Sequence, residues 1–184
     1  MLKITVPATK IEFFDEANET FVNIDTEEQT LQLEHSLVSL SKWESKWCKA
    51  FLSKADKTDE EIIDYIKCMT ITQNVNPDVY KVLTQKNFED VQKYIEAPMT
   101  ATYFNEDKNG KRNNETITSE LIYYWMVALN IPFECQKWHL NRLITLIRVC
   151  NIKNQPPKKM SRSSVANQYK SLNAARRQKY NTRG

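Results

Sequence analysis

The sequence predicts a mainly α protein with a small N-terminal antiparallel β-sheet, an α+β chain with a helical core domain and a basic C-terminal helix or tail. Three observations carry that prediction. Apolar residues recur at every second position up to about residue 35 and then at every third or fourth, the marks of strand and of amphipathic helix. Glycine occurs twice in 184 residues, at Gly110 and Gly184, against roughly 7% in ordinary proteins, which disfavours barrels and sandwiches whose hairpins lean on Asn-Gly and Asp-Gly. Charge is segregated: residues 1–134 hold 14 Lys/Arg and 23 Asp/Glu, a balance of −9, and residues 135–184 hold 12 Lys/Arg and no acid, a balance of +12. Such asymmetry sets a basic interaction surface beside an acidic body. The chain accordingly reads as a strand and hairpin segment over 1–35, a helical core domain over 36–152, and a basic linker with a C-terminal helix or tail over 153–184.

Within the first segment Ile4 and Val6 alternate with polar neighbours, as do Phe21, Val22 and Ile24, and Leu31 and Leu33 continue the period. Asp15-Glu16-Ala17-Asn18-Glu19 is turn-like and joins 11–14 to 21–24 as a hairpin. From Ser36 onward Leu37, Leu40, Trp43, Trp47 and Phe51 fall at spacings of 3, 3, 4 and 4 on one helical face, with Ser36 or Ser39 as the cap. Thr58-Asp59-Glu60-Glu61 is a capping box, opening a helix that carries Ile62, Ile63, Tyr65, Ile66 and Met69. Asn76-Pro77 gives a cap and a first-turn proline for a helix with Val79, Tyr80, Val82 and Leu83. Asn87 opens another, with Phe88, Val91, Tyr94 and Ile95, stopped near Pro98.

Residues 105–116 contain no apolar side chain and read as a loop. Thr118 caps a helix over 121–129, Asn130-Ile131-Pro132 breaks it, and a further helix runs over about 135–151 with Trp138, Leu140, Leu143, Ile144, Ile147 and Cys150. Apolar positions lie nearly all round these two helices, which predicts that the pair forms the centre of the core. Asn154-Gln155-Pro156-Pro157-Lys158-Lys159 is a stiff basic linker. Ser161 caps a last helix from 162 to about 180, whose stripe of Val165, Tyr169 and Leu172, continued by Arg176, is too thin to hold it firmly by itself. That helix is expected to be mobile until it meets a partner.

Chemistry is hard to place on these residues. The near-absence of glycine removes phosphate cradles and dinucleotide turns. The four cysteines, Cys48, Cys68, Cys135 and Cys150, form no CxxC, so a zinc ribbon or thioredoxin-like site has no support and free thiols in a reducing cytoplasm are expected. The N-terminus lacks a signal-peptide core, and no apolar run approaches the roughly 20 residues of a membrane span. Of the two histidines, His35 has no nucleophile beyond the adjacent Ser36. His139 lies one turn after Cys135, and two potential ligands do not make a metal site; a packed helix carrying a hydrogen-bonded His is the simpler reading, and His139, Asn141 and Arg142 could together anchor a buried polar network. Glu60, Glu61 and Asp64 suit a helix N-terminus better than a Mg²⁺ cluster. No enzyme, cofactor or metal is therefore expected.

The residues that could meet a partner are of two kinds. Trp43 and Trp47 are embedded among lysines, a face able to fill a pocket on a protein or stack on bases, although core burial is the simpler assignment. Lys158, Lys159, Arg162, Lys170, Arg176, Arg177, Lys179 and Arg183, with Tyr169 among them, could neutralise phosphates, dock on an acidic helix, or only solubilise the tail.

Several blocks carry a family resemblance. They are Leu33-Glu34-His35-Ser36-Leu37-Val38-Ser39-Leu40-Ser41-Lys42-Trp43-Glu44, Met99-Thr100-Ala101-Thr102, Glu120-Leu121-Ile122-Tyr123-Tyr124-Trp125-Met126, Asn130-Ile131-Pro132-Phe133-Glu134-Cys135, Trp138-His139-Leu140-Asn141-Arg142-Leu143 and Leu172-Asn173-Ala174-Ala175-Arg176-Arg177. Together they resemble tail assembly chaperones of long-tailed bacteriophages, over nearly the whole chain from about residue 31. The resemblance implies a non-enzymatic factor in the host cytoplasm that coats the tape-measure protein, recruits tail-tube subunits, and is absent from the mature virion. It marks no catalytic residue. Acidic body and basic tail could also join head to tail, giving self-association that weakens with salt. The alternatives are a nucleic-acid-binding phage accessory protein and a structural virion component such as a head–tail connector or baseplate protein.

Overall fold

A computed structural model describes residues 1–15, 20–104, 116–155 and 161–181. It is mainly α with a small antiparallel β component at the N-terminus. The expected turn at 15–19 falls, beyond Asp15, outside the described residues, as do the loop at 105–115 and the linker residues Pro156, Pro157, Lys158 and Lys159.

Among the described residues four strands, β1 (Leu2–Val6), β2 (Thr9–Asp15), β3 (Thr20–Thr26) and β4 (Gln29–Leu33), form two antiparallel ladders, β1 with β4 and β2 with β3. The two share one register: Leu2 faces Leu33, Val6 faces Gln29, Thr9 faces Thr26 and Asp15 faces Thr20. They are the inner and outer halves of a single long hairpin, interrupted at Pro7-Ala8 opposite Glu27-Glu28, where Pro7 has no N–H for the ladder. The inner half is anchored by burial of Ile4, Val6, Leu31 and Leu33 on one face, as a period of two requires.

Among the described residues six α-helices follow: α1 (Leu37–Trp47), α2 (Asp59–Met69), α3 (Gln85–Glu96), α4 (Ser119–Ala128), α5 (Leu140–Asn154) and α6 (Arg162–Tyr180). Caps set their starts. In α1 the Ser39 N–H donates to Ser36 Oγ at 3.2 Å and the Ser36 N–H to Ser39 Oγ at 2.9 Å, so both serines build one box with Ser36 as the cap. Thr58 and Glu61 make the expected box on α2, and Thr118 and Ser161 cap α4 and α6.

Three boundaries differ from expectation. The helix after Asn76-Pro77 is only a 3-10 turn, Pro77–Lys81. α3 is capped by Thr84, and Asn87 is the third residue whose side chain answers the cap. The segment expected to open a helix near Cys135 is a second 3-10 turn, Phe133–Lys137, after which extended Trp138 resets the chain and α5 starts at Leu140.

The chain divides into two compact units, Met1–Asn151 and Ile152–Gly184. In the first, two apolar clusters share α1 as their common wall. One gathers Ile4, Val6, Leu31 and Leu33 of the hairpin with Trp43, Tyr65, Ile66, Met69, Val79, Tyr80, Val91 and Tyr94. The other gathers Leu37 and Leu40 with Ile122, Met126, Ile131, Cys135, Leu140, Leu143 and Ile147. The expectation that α4 and α5 form the centre of the core therefore holds for one cluster of two. α4 is apolar all round, yet Tyr124 and Val127 are exposed. The second unit contains α6, none of whose residues is buried.

Scarcity of glycine leaves its trace in the backbone. Left-handed positions are filled by Cys48, Asn74, Met99, Asn130 and Asn181. Asparagine tolerates this region by local hydrogen bonding, whereas a cysteine at φ 52 does not. Cys48 caps the C-terminus of α1 and is exposed, so Cys48→Gly is expected to raise stability by about 1 kcal/mol. Urea midpoints of the two proteins check this, and a decrease overturns it.

Candidate functional site

Apolar surface left open to solvent is the chemistry this fold offers, and a concave stretch of it lies between α2 and α3. The α2 capping box starts a helix whose Ile62, Ile63 and Ile66 line one cavity with Phe88, Val91 and Ile95 of α3. Phe51, beyond the end of α1, stacks on Tyr65 at a ring separation of 3.7 Å and lines the same cavity. Tyr80 and Leu83 also line it. The result is a groove of about 600 Å³, within the size range of ligand-binding clefts. Asn87 fixes the α3 wall to the hairpin by donating from Nδ2 to the Thr5 carbonyl at 3.2 Å.

The groove is built to hold apolar surface, not to do acid–base work. Its two tyrosines turn their hydroxyls inward: Tyr65 is 2.6 Å from His35 Nδ1, and Tyr80 donates to Thr70 Oγ1 at 2.9 Å. Burial pushes both hydroxyls up, away from the physiological range. Polar groups sit at the rim. Lys57 lies over the Phe51 ring at 4.8 Å, and Lys81 pairs with Asp78. Gln85 donates to Glu89 and Gln92 to Glu96 along the outer edge of α3.

The tryptophan face has another role. Trp43 is 1% exposed, and its Nε1 donates to the Glu61 carbonyl at 2.8 Å, so it is a core residue and cannot meet a partner in this fold. Trp47, four residues on at the helix end, is half-buried and donates from Nε1 to Asp64 Oδ2 at 3.0 Å. Burial would raise the Asp64 carboxyl, but the hydrogen bonds from Lys46 and Trp47 outweigh it and hold it below its ordinary value. The Lys49 ammonium and the Thr58 N–H likewise hold Glu61 down. The lysines around Trp47 thus belong to an α1–α2 clasp.

The histidines form part of a buried polar network. The His139 Nε2–H donates to the Tyr94 carbonyl at 3.0 Å, and its Nδ1 accepts the Asn141 N–H at 3.3 Å. Both ring nitrogens are committed and the ring is neutral. Asn141 Nδ2 donates to the Ile95 and Ala97 carbonyls, tying α5 to the end of α3, while Arg142 covers Trp138 instead of joining the network. Cys135 lies in the apolar cluster, and among the described residues no three His, Cys, Asp or Glu side chains are grouped to hold a metal ion.

On α6, Arg162, Tyr169, Arg176 and Arg177 are exposed, and Val165, Tyr169 and Leu172 follow one another at helical spacing. Lys158 and Lys159 lie outside the described residues. In the sequence the groove residues Ile62, Ile63, Phe88 and Ile95 are simply apolar positions of two helices. Periodicity identifies an apolar face but not whether a second element covers it. Among the described residues no helix is long and apolar enough to cross a membrane. No known family model, curated protein or solved structure matches this chain.

Proposed function

We propose that the protein is a non-enzymatic tail assembly chaperone of a long-tailed bacteriophage, which holds the tape-measure polypeptide and helps to recruit tail-tube subunits. The observation that carries this reading is the open apolar groove between α2 and α3. A tape-measure protein is a long amphipathic helix whose apolar stripe aggregates when bare. A groove between two helices accepts such a stripe through anchors spaced i, i+3, i+4 and i+7. Modest affinity at each groove, multiplied over many copies on one strand, keeps the client soluble yet releasable when tube subunits arrive. Such a factor acts in the host cytoplasm and is left out of the finished particle.

Co-expression tests the proposal. The tape-measure protein is expected to stay soluble and co-purify with the wild-type chain, and to fall into the insoluble fraction when the chain carries Ile62→Lys, a change at a partly exposed position of the groove. A client that is equally insoluble with and without the chaperone overturns the reading. The exposed cations of α6, unopposed by any acid in that helix, favour nucleic acid as the second reading. It requires DNA affinity that falls with salt at a slope close to the number of neutralised phosphates.

A further inference from the structure

We infer that the α2–α3 groove also takes α6 of a second copy of this chain, so that the protein associates head to tail through its own C-terminal helix. The inference rests on the groove being a helix-binding surface, as in the proposed function, but not on what the external client is.

Three features fit the two surfaces to each other. The first is spacing. Val165, Tyr169 and Leu172 stand at i, i+4 and i+7, the anchor pattern of a helix laid in a groove. They span about 10 Å of helix, against a wall formed by Phe88, Val91 and Ile95 over the same number of residues. The second is exposure. Tyr169 is 63% and Leu172 47% exposed, and α6 buries nothing, so its stripe is left open just as the groove is.

The third feature is charge. Glu89 and Glu96 stand one turn beyond the groove-lining Gln85 and Gln92 and accept their amides. Among the described residues neither they nor Asp59, at the groove's α2 end, has a salt-bridge partner. α6 carries Arg162, Lys170, Arg176, Arg177 and Lys179 and no acid. Arg162 and Arg176 extend the apolar line at both ends, at 162, 165, 169, 172 and 176, so that a buried stripe is bounded by cations able to meet the acidic rim. Charges at the rim of an apolar contact fix register and orientation.

The contact is heterologous: groove of one copy, helix of the next. That geometry gives the test. Sedimentation of the full-length chain is expected to show a mass that rises with concentration, with association about tenfold weaker at about 500 mM than at about 50 mM salt. Two variants are then compared, Glu89→Lys with Glu96→Lys on the groove rim, and Tyr169→Asp with Leu172→Asp on α6. All four positions are solvent-facing, so both variants are expected to keep the wild-type circular dichroism and thermal midpoint. Each alone is expected to be monomeric. Mixed in equal amounts they are expected to form a one-to-one heterodimer and nothing larger, because the first supplies an intact helix and the second an intact groove. A wild type that is monomeric at every concentration, a variant that still associates, or a mixture that stays monomeric overturns the inference. Because the assay contains no client, its failure leaves the chaperone reading standing. A client that stays insoluble beside a chain that does associate overturns the chaperone reading alone.

Discussion

Replacing Glu44 by alanine is expected to cost about 4 kcal/mol of stability, from two charge-assisted hydrogen bonds of roughly 1.5–3 kcal/mol each. Glu44 lies inside α1 and is 6% exposed. Its Oε1 accepts the Phe51 N–H at 2.9 Å and its Oε2 the Ser119 N–H at 2.7 Å. One carboxylate therefore holds the segment leaving α1 and the first turn of α4, which lie 75 positions apart in the case of Ser119. The second contact also sets negative charge against the N-terminus of α4, where the helix dipole favours it. Alanine leaves both N–H groups without this acceptor, that of Ser119 in a buried site and that of Phe51 in a part-buried one. Glu44→Gln keeps one acceptor oxygen and turns an amide toward the other N–H, so about half the loss is expected. Urea denaturation of the three proteins gives the comparison. A loss below about 1 kcal/mol for alanine would show that water reaches these groups, and the clamp would then not exist.

Glu44 also shows where the sequence is legible and where it is not. Its place on a helix follows from the period of Leu37, Leu40, Trp43 and Trp47. Its role depends on Ser119, and no local pattern links the two. The same division runs through the fold. Thr58-Asp59-Glu60-Glu61 announces α2 because a capping box is complete within four residues. Thr84 and Asn87 form an equally reciprocal box, but both residue types can cap, so the pattern leaves the start of the helix ambiguous by three positions. Cys135 to Trp138 looks helical by its apolar spacing. What turns the chain there is the pairing of Ser36 with His139 and the Leu140 N–H donating to the His35 carbonyl at 2.7 Å, both long-range. Of the site, the stripe on α6 was visible because nothing apolar lies beside it. The groove was not, because Ile62 and Phe88 look the same in sequence whether a neighbour covers them or solvent does.

Acid is expected to destabilise the protein before its carboxylates protonate, and His35 is the main cause. The ring is 1% exposed, 2.6 Å from the Tyr65 hydroxyl and in edge contact with His139 at 5.1 Å between centroids. Burial, and then the neighbouring His139, lower its pKa from 6.5 to about 3. The unfolded chain consequently binds a proton that the folded chain refuses, so stability rises with pH between about 3 and 6.5 and falls as pH drops through that window. At pH 5 the loss is about 2 kcal/mol, the 1.5 units separating that pH from the ordinary value at about 1.4 kcal/mol each. Burial also lowers His139, whose protonation adds a loss of the same sign. The chain has only these two histidines, and carboxylates such as Asp64 and Glu61 are held below their ordinary values, so the slope between pH 7 and 5 belongs to the pair. His35→Phe removes one titration while leaving the Tyr65 hydroxyl without its partner. It should lower stability at pH 7 and flatten the pH dependence at once. Unfolding midpoints measured at pH 7, 6 and 5 separate the two effects, and a variant with the wild-type slope would place the acid sensitivity elsewhere.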